Sequence, residues 1–286
     1  MKQPTSAPGT VSKILWHFTG GPLWDDKKQC QKTVPKRPDE AYKALLAILQ
    51  TRKLLLGKYR ELVKAQYSIR KFDPTTKQSA RVPKQKIFES VPVCCLADIP
   101  IAHLNYHSHR YGKFAIGFHR SAVVKHKFSP VFYALHDAAP LQSIRRAISE
   151  VESISNQADF KASEVRTFEE TVTCEEGHSV DDKAGNLSDF EWAFDSIVES
   201  GKNGRDHLTK ALAFIKTFGQ AEFSTVYCER EWRSTTEFAF DLSDVAMVVL
   251  PRQINGRSFF GDFVESHCQP LLRAIPVVPW EDLVEH

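Results

Sequence analysis

The chain has 286 residues, of which 42% are hydrophobic and 26% charged, and its formal net charge is +3. These values are ordinary for a globular protein and exclude a disordered, collagen-like or coiled-coil chain. No apolar run approaches the roughly 20 residues that a bilayer span requires, and the N-terminus lacks the apolar core of a secretory signal. We therefore expect a soluble cytoplasmic protein that has no membrane partner.

Charge is divided unevenly along the chain. Residues 1–90 carry 19 Lys and Arg against 7 Asp and Glu, whereas residues 150–200 carry 14 acids against 3 bases. The basic third can meet a polyanion such as nucleic acid, or it can form a solvated surface that neutralises the acidic segment. Residues 155–187 are acidic and low in aliphatic side chains, and we predict that they form an insertion in a single domain spanning residues 1–286.

The first half of the chain alternates strand and helix signals. The β-branched and aromatic run Val11–Thr19 predicts an opening strand, and apolar residues at helical spacing predict a helix from Asp39 to about Leu55. Residues 58–86 are basic and contain two prolines, which predicts a loop-rich stretch. A strand, a helix and a second strand are then predicted over Val91–Ala97, Pro100–Arg110 and Lys113–Phe118.

The second half adds helices and returns to strands at its end. A strand over Pro130–Leu135 and a helix over Leu141–Ile154 precede the acidic segment. After it, helices are predicted over Ser188–Val198 and Asp206–Phe218, and strands over Glu222–Cys228, Phe238–Phe240, Val245–Leu250 and Ala274–Val278. This order of elements predicts the α+β fold class, with strands near both ends of the chain.

Strongly polar side chains interrupt two of the predicted strands. His17 follows a Leu-Trp pair whose burial brings the imidazole close to the core or to a cleft, although a lone buried histidine is more often a hydrogen-bonded core residue. Further on, the two-residue period of a strand puts Glu229, Glu231 and Arg233 on one face. Such a face is either a ligand site or a solvent-facing edge strand with an internal ion pair.

Metal-binding and nucleophilic clusters are weakly indicated. His103 and His107 lie four residues apart on a predicted helix, as zinc-binding pairs do, but no HExxH pattern and no third ligand accompany them, and we predict no metal site. Cys94 and Cys95 lie in an apolar run and are predicted to be buried structural thiols. The sequence contains no phosphate-binding loop, no dinucleotide-binding fingerprint and no GxSxG motif.

Several short motifs carry a resemblance through their order along the chain. LWHFTG, VCCLADIP, RYGKFAIGF, PVFY and EREWR follow one another within residues 14–135 and 222–240. In this order they resemble the AbiGi-type abortive-infection proteins of bacteria, which are phage-resistance components of antitoxin type. The resemblance implies an anti-phage protein whose partner is a cognate toxin or another protein of a defence operon.

A more distant resemblance is to DarT-like ADP-ribosyltransferases. It implies a split mixed β-sheet with flanking helices, with NAD as the substrate. The resemblance assigns catalysis to Glu231 and Glu229, and NAD binding to His17, Thr19, Tyr111 and Arg233. The pyrophosphate would then be held by Arg233, Lys113 or Arg110, since guanidinium and ammonium groups bind phosphate oxygens.

The resemblances leave two main functions open. In the first, the protein is an anti-phage enzyme that transfers ADP-ribose from NAD to a nucleic-acid or protein acceptor. In the second, it is a non-catalytic antitoxin that binds a partner toxin, or binds operator DNA through its basic third. A third and weaker hypothesis is a metal-dependent nuclease built on His103 and His107. The transferase hypothesis requires that His17 and Glu231 face the same cleft.

Overall fold

The computed structural model describes residues 12–28, 30–32, 34–73, 78–175, 181–220, 226–271 and 275–284. The chain forms two compact units. The first unit comprises Met1–Arg60, Pro92–Tyr133 and Ala213–His286, and the second comprises Glu61–Val91 and Ala134–Leu212. The α+β fold class is confirmed, since a large mixed sheet is flanked by helices. That the whole chain is one domain with an insertion stays a prediction.

A seven-stranded mixed sheet forms the centre of the first unit. All of its neighbouring strands are antiparallel except one pair at an edge of the sheet, which is parallel. In spatial order the strands are β15 (Val277–Pro279), β14 (Val245–Leu250), β8 (Ala115–His119), β1 (Ile14–Phe18), β7 (Cys94–Ala97), β12 (Glu231–Ser234) and β9 (Ser129–Pro130).

The sheet opens between β1 and β7. Every residue of β1 is paired with β8, and every residue of β7 is paired with β12, but β1 and β7 share only the pair Trp16 and Ala97. Gly117 on β8 lies opposite Trp16, and a Cβ atom there would come within 2.9 Å of the Trp16 ring. Glycine is therefore required where this ring crosses the strand.

Apolar side chains cover both faces of this sheet. One cluster contains Leu15, Phe114 and Phe118, and a second on the other face contains Trp16 and Trp280. These side chains are almost completely buried. Burial of each large apolar side chain contributes about 1.5–3 kcal/mol relative to an exposed one, so both clusters hold the strands in place.

Five helices surround the sheet in the described part of the first unit. The longest, α1 (Pro38–Thr51), buries Tyr42, Leu45 and Leu49 at helical spacing and ends where Arg52 adopts a left-handed conformation with φ of 53°. The others are α2 (Leu104–Tyr111), α3 (Arg120–Lys125), α6 (Phe259–Leu271) and α7 (Trp280–Val284).

Short strands and 3-10 turns accompany the sheet and these helices. The paired strands are β2 (Trp24–Asp25) with β3 (Cys30–Gln31), and β4 (Lys53–Leu54) with β13 (Phe238–Ala239). Strand β10 (Phe132–Leu135) spans the point in the chain where the second unit begins, and β11 (Ile215–Phe218) belongs to the first unit. The 3-10 turns are Ile101–His103, Tyr227–Glu229 and Leu242–Asp244.

The second unit contains a long β-hairpin and two long helices. Strands β5 (Leu62–Asp73) and β6 (Gln78–Glu89) are paired over their whole length, and residues 74–77 between them lie outside the described residues. Helices α4 (Ala139–Glu175) and α5 (Asp181–Leu212) pack against each other, and α4 also packs against β5. The acidic segment 155–187 falls on these helices, with residues 176–180 outside the described part.

Three predicted elements were wrong or only partly correct. Residues 58–86 were expected to be loop-rich, but their alternating Val63, Ala65, Tyr67 and Ile69 form the buried side of β5. The helix expected over Asp206–Phe218 ends at Leu212, and β11 follows. Of the strand expected over Glu222–Cys228, Tyr227 and Cys228 lie in a 3-10 turn, and residues 222–225 are outside the described part.

The other predicted strands of the sheet are confirmed to within a few residues. They correspond to β1, β7, β8, β14 and β15. Among the described residues, no helix is both long enough and apolar enough to cross a bilayer.

Candidate functional site

A cavity of about 400 Å³ lies in the first unit where the sheet opens. It is lined by consecutive residues of β1, including His17, and of β7, including Cys95. Tyr111 from α2, Lys216 from β11 and Glu231 from β12 also line it. This volume is in the range of small-molecule sites. Of the six predicted site residues, five line the cavity, namely His17, Thr19, Tyr111, Glu229 and Glu231. Arg233, which was expected to bind NAD, is fully buried and is not among the lining residues.

Glu231 lies in the cavity wall and is held by two cations, Arg233 and Lys216. Arg233 donates from Nε to Oε1 at 3.0 Å and from Nη2 to Oε2 at 2.9 Å, and Lys216 Nζ donates to Oε2 at 2.8 Å. The Arg233 side chain is fully buried and also donates from Nη1 to the carbonyl oxygen of Ala213 at 2.7 Å. Planar two-point pairing of this kind fixes the direction of the carboxylate.

Glu229 shares Lys216 with Glu231. Lys216 Nζ lies 2.5 Å from Glu229 Oε2, and the Tyr111 hydroxyl donates to Glu229 Oε1 at 2.6 Å. Arg110 Nη1 is 3.5 Å from the same oxygen. One buried ammonium group therefore links the two carboxylates, which would otherwise repel each other.

The backbone around Arg230 brings the two glutamates to this lysine. Glu229 ends a 3-10 turn, Arg230 adopts a left-handed conformation with φ of 43°, and Glu231 begins β12. The Glu231 N–H group donates to the Tyr133 hydroxyl at 2.7 Å. The glutamates thus meet through a turn, and the expectation that a regular strand places them on one face was wrong in its geometry.

Pairing controls the protonation of Lys216 and Glu231. Burial alone would raise the pKa of Glu231, but Lys216 and Arg233 outweigh it and hold that pKa well below its usual range. Burial would lower the pKa of Lys216, but Glu231 and Glu229 raise it well above the ordinary value. Both groups are therefore charged at neutral pH.

His17 is neutral and has a defined tautomer. Its Nδ1 lies 3.1 Å from the carbonyl oxygen of Cys95, and since a carbonyl only accepts, Nδ1 carries the hydrogen. Burial lowers the pKa of His17, which keeps the imidazole uncharged at neutral pH. Its Nε2 atom is consequently left as a hydrogen-bond acceptor.

Aromatic rings form another part of the wall. The His107 ring stacks on Tyr111 with centroids 5.8 Å apart, and Phe18 lies 5.9 Å from Tyr111. Burial lowers the pKa of His107 to about 4, and its Nε2 atom is buried with no hydrogen-bond partner. Burial raises the pKa of Tyr111 well above its usual value, so its hydroxyl remains a donor.

The remaining predicted binding residues occupy different positions. Thr19 lines the cavity, and its hydroxyl donates to the carbonyl oxygen of Ala41 at 2.8 Å. Lys36 also lines the cavity and donates to the carbonyl oxygen of Thr19 at 3.0 Å. Lys113 is not among the lining residues, and its Nζ lies 3.9 Å from Glu281 Oε1.

The cysteines considered as nucleophiles and the histidines considered as metal ligands do not form such sites among the described residues. Burial raises the pKa of Cys94 to about 12 and that of Cys95 well above its ordinary value, so both thiols are protonated. His103 is exposed at the end of a 3-10 turn, whereas His107 is buried. The described residues contain no group of three or more His, Cys, Asp and Glu side chains arranged to hold a metal ion.

Two cavity residues of importance were missed from the sequence. Lys216 was assigned to a helix, although a single lysine within an apolar run (AFIKTF) is a signal that it needs a buried partner. Tyr59 was assigned to a loop, and its ring lies 5.1 Å from Arg233 Cζ and 5.6 Å from Lys216 Nζ. Contacts at these distances stabilise the two cations through cation–π attraction.

The fold and the site define an α+β protein with a mixed sheet that opens around a small-molecule-sized cavity containing paired buried charges. A model of the AbiGi family, described as abortive phage resistance proteins and antitoxins, matches residues 68–253. The chain therefore belongs to the AbiGi family. The matched range contains Tyr111, Glu229 and Glu231 and extends across residues 155–187, which the order of motifs had left outside.

A named relative also supports membership of this family. A protein of Lactococcus lactis subsp. cremoris named abortive phage resistance protein AbiGi is 33% identical over 64 residues, which are 21% of this chain and 26% of that protein. The chain thus matches about a quarter of that relative's length. No solved structure matches the chain, and the ADP-ribosyltransferase-like fold stays a prediction.

Proposed function

We propose that this chain is a phage-resistance protein that cleaves NAD in the cavity of the first unit and transfers ADP-ribose to a macromolecular acceptor. The description of the AbiGi family supports the anti-phage role. The observation that carries the chemistry is that His17 and Glu231, far apart in the sequence, line the same cavity together with Tyr111.

The cavity wall offers complementary groups to a nicotinamide riboside. Neutral His17 presents Nε2 as an acceptor for a ribose hydroxyl group, since its Nδ1 hydrogen is used by Cys95. The rings of Tyr111, His107 and Phe18 form an aromatic surface on which a nicotinamide ring can pack. Lys36 and Lys58 line the same cavity and can hold the pyrophosphate.

Glu231 is the carboxylate we assign to catalysis. Cys95 also hydrogen-bonds it, in addition to Arg233 and Lys216. A thiol is the weakest donor of this set, so a ribose 2′-hydroxyl can displace it. The carboxylate then faces the ribose, where positive charge develops as the glycosidic bond breaks.

The proposed transfer needs only NAD, the acceptor and water. The bond between ribose C1′ and the pyridinium nitrogen breaks, and its electron pair stays on nicotinamide, which leaves neutral. An acceptor oxygen or nitrogen atom forms the new bond to C1′ and loses its proton to water. Arg233 orients Glu231 through its two-point contact, and Glu229 orients Tyr111 and Lys216.

Nicotinamide release tests this function directly. Full-length protein is incubated with NAD labelled in the nicotinamide ring, with water and with extract of phage-infected cells as acceptors. We expect the folded wild type to release label and Glu231→Gln to release it about 10²- to 10³-fold more slowly. His17→Ala lies outside the ion-pair network and should raise the KM for NAD about tenfold, through a lost hydrogen bond.

A surface glutamate provides the matched control. Glu237 is exposed and paired with Lys53, and Glu237→Gln should release nicotinamide at the wild-type rate. If Glu231 and Lys216 serve only to stabilise the fold, folded wild type releases no nicotinamide with either acceptor. That result would contradict the transferase function.

The description of the AbiGi family as antitoxins favours a second candidate function. In this case the chain neutralises a partner toxin by binding it, and the buried charges only stabilise the first unit. Co-expression with the product of the neighbouring gene should then give a stable complex. Protection by folded Glu231→Gln separates the candidates, since it is retained by a binding protein and lost by a transferase.

A further inference from the structure

The hairpin of the second unit presents an exposed basic face. Residues opposite each other in a ladder share a face, so Lys64, Gln66, Ser68 and Arg70 of β5 lie on one side together with Arg81, Pro83, Gln85 and Ile87 of β6. All eight residues are exposed. We call this side the outer face.

The opposite side of the hairpin is covered, which shows that the outer face is the free one. Val63, Ala65 and Phe88 are buried on this inner side. Lys86, also on the inner side, lies 3.5 Å from the buried Glu152 of α4. Arg70 and Arg81 of the outer face are instead exposed.

The charged residues of the hairpin are mostly basic. Residues 62–89 contain seven Lys and Arg against two Asp and Glu, and neither acid lies within 63–72 or 74–88. Arg70 and Arg81 lie directly opposite each other in the ladder. Like charges at such positions destabilise a hairpin, and among the described residues no ion pair joins Lys64, Arg70 or Arg81 to a carboxylate. An external anion would remove this repulsion.

A basic pocket continues this surface onto α4. It has a volume of about 360 Å³ and is lined by Lys64 and Gln66 of β5 and by Arg145 and Arg146 of α4, among others. Arg145 Nη1 donates to the carbonyl oxygen of His136 at 3.2 Å, while its Nε atom is buried with no hydrogen-bond partner. One carboxylate, that of Glu150, lines the pocket beside these three cations.

We propose that the outer face and this pocket bind duplex DNA. A two-stranded β-ribbon fits the major groove of B-form DNA, and twelve paired residues give a ribbon about 40 Å long. Arg70, Arg81 and the pocket arginines neutralise phosphates, while the amides of Gln66 and Gln85 face the base edges. The major groove of A-form RNA is too deep and narrow for such a ribbon. This inference goes beyond the proposed transfer reaction and stands without it.

Fluorescence anisotropy of the full-length protein with a labelled duplex two helical turns long tests the proposal. The variant is Arg70→Gln with Arg81→Gln, which changes two exposed side chains and should fold normally. Each phosphate contact contributes a slope of about 0.9 to the dependence of log affinity on log salt. Between about 50 and 200 mM salt, wild type should thus lose about tenfold more affinity than the double variant loses.

The matched control removes the same charge elsewhere. Lys43 on α1 and Lys125 on α3 are exposed, and Lys43→Gln with Lys125→Gln should bind DNA with wild-type affinity and salt dependence. An RNA duplex of the same sequence should bind at least tenfold more weakly than the DNA. The proposal is overturned if folded wild type binds no DNA at the lowest salt, if the ribbon variant matches wild type, or if RNA binds as tightly as DNA.

Discussion

The cavity of the first unit and the hairpin of the second unit use similar side chains in opposite surroundings. Lys216 and Arg233 are buried, and each donates to a carboxylate within the same wall. Arg70 and Arg81 are exposed and face each other without such a partner in the described part of the chain. In the cavity the protein itself fixes the charged state of its groups, whereas the hairpin leaves its charge to be neutralised by a ligand.

This comparison predicts that removing a buried cation lowers the free energy of unfolding more than removing an exposed one. Lys216→Met removes the group that links Glu229 and Glu231 and leaves buried negative charge uncompensated. Loss of one partner from a buried ion pair destabilises a fold by about 3–5 kcal/mol. We expect a loss of this size in the free energy of unfolding, measured by urea denaturation at neutral pH.

The same Lys→Met substitution on the hairpin is the control for this loss of stability. Lys64 is exposed, and Lys64→Met should change the free energy of unfolding by no more than about 0.5 kcal/mol. Equal losses for the two variants would show that Lys216 is not embedded in a buried network, and the description of the cavity wall would then be wrong.

A smaller effect should appear on titration of His107. The pKa of its imidazole is 6.5 in the unfolded chain and about 4 in the fold, so the unfolded chain takes up the proton first as the pH falls. The stability that His107 contributes is therefore complete above pH 6.5 and is lost as the pH drops towards 4. His17 acts in the same direction, since burial also lowers its pKa.

Substitution separates the part of this pH dependence that belongs to His107. His107→Phe keeps an aromatic ring against Tyr111 and removes the titrating group, so the loss of stability between pH 6.5 and about 4 should become smaller. The exposed His103 is the control, and His103→Phe should follow the wild-type curve. Parallel curves for wild type and His107→Phe would mean that the buried imidazole does not resist protonation.

Local patterns in the sequence predict the strands of the first unit well. Strands β7 and β14 are continuous apolar runs of strand length, and such runs favour buried strands. Hairpin β5–β6 was missed because its exposed basic residues and two prolines hide a two-residue apolar period. A proline at an exposed edge position such as Pro83 does not prevent a strand.

The candidate site was only partly predictable because one of its contacts joins residues that belong to different elements of the fold. The sequence singles out His17, Glu229, Glu231 and Arg233 as polar groups among apolar ones. It does not reveal that Lys216 joins the two glutamates, because that contact depends on β11 lying beside the turn at Arg230. Contacts between residues that are distant along the chain are set by tertiary packing, which no local pattern records.

Calorimetric titration of NAD into a variant with a filled cavity tests the central claim most directly. Ala44 lines the cavity from α1, whereas Ala47 on the same helix is exposed and is not among the lining residues. We expect Ala47→Trp to bind NAD like wild type, and Ala44→Trp to fold but to bind at least tenfold more weakly. If folded wild type binds no NAD, or if Ala44→Trp binds it as well as wild type does, the cavity is not the NAD site.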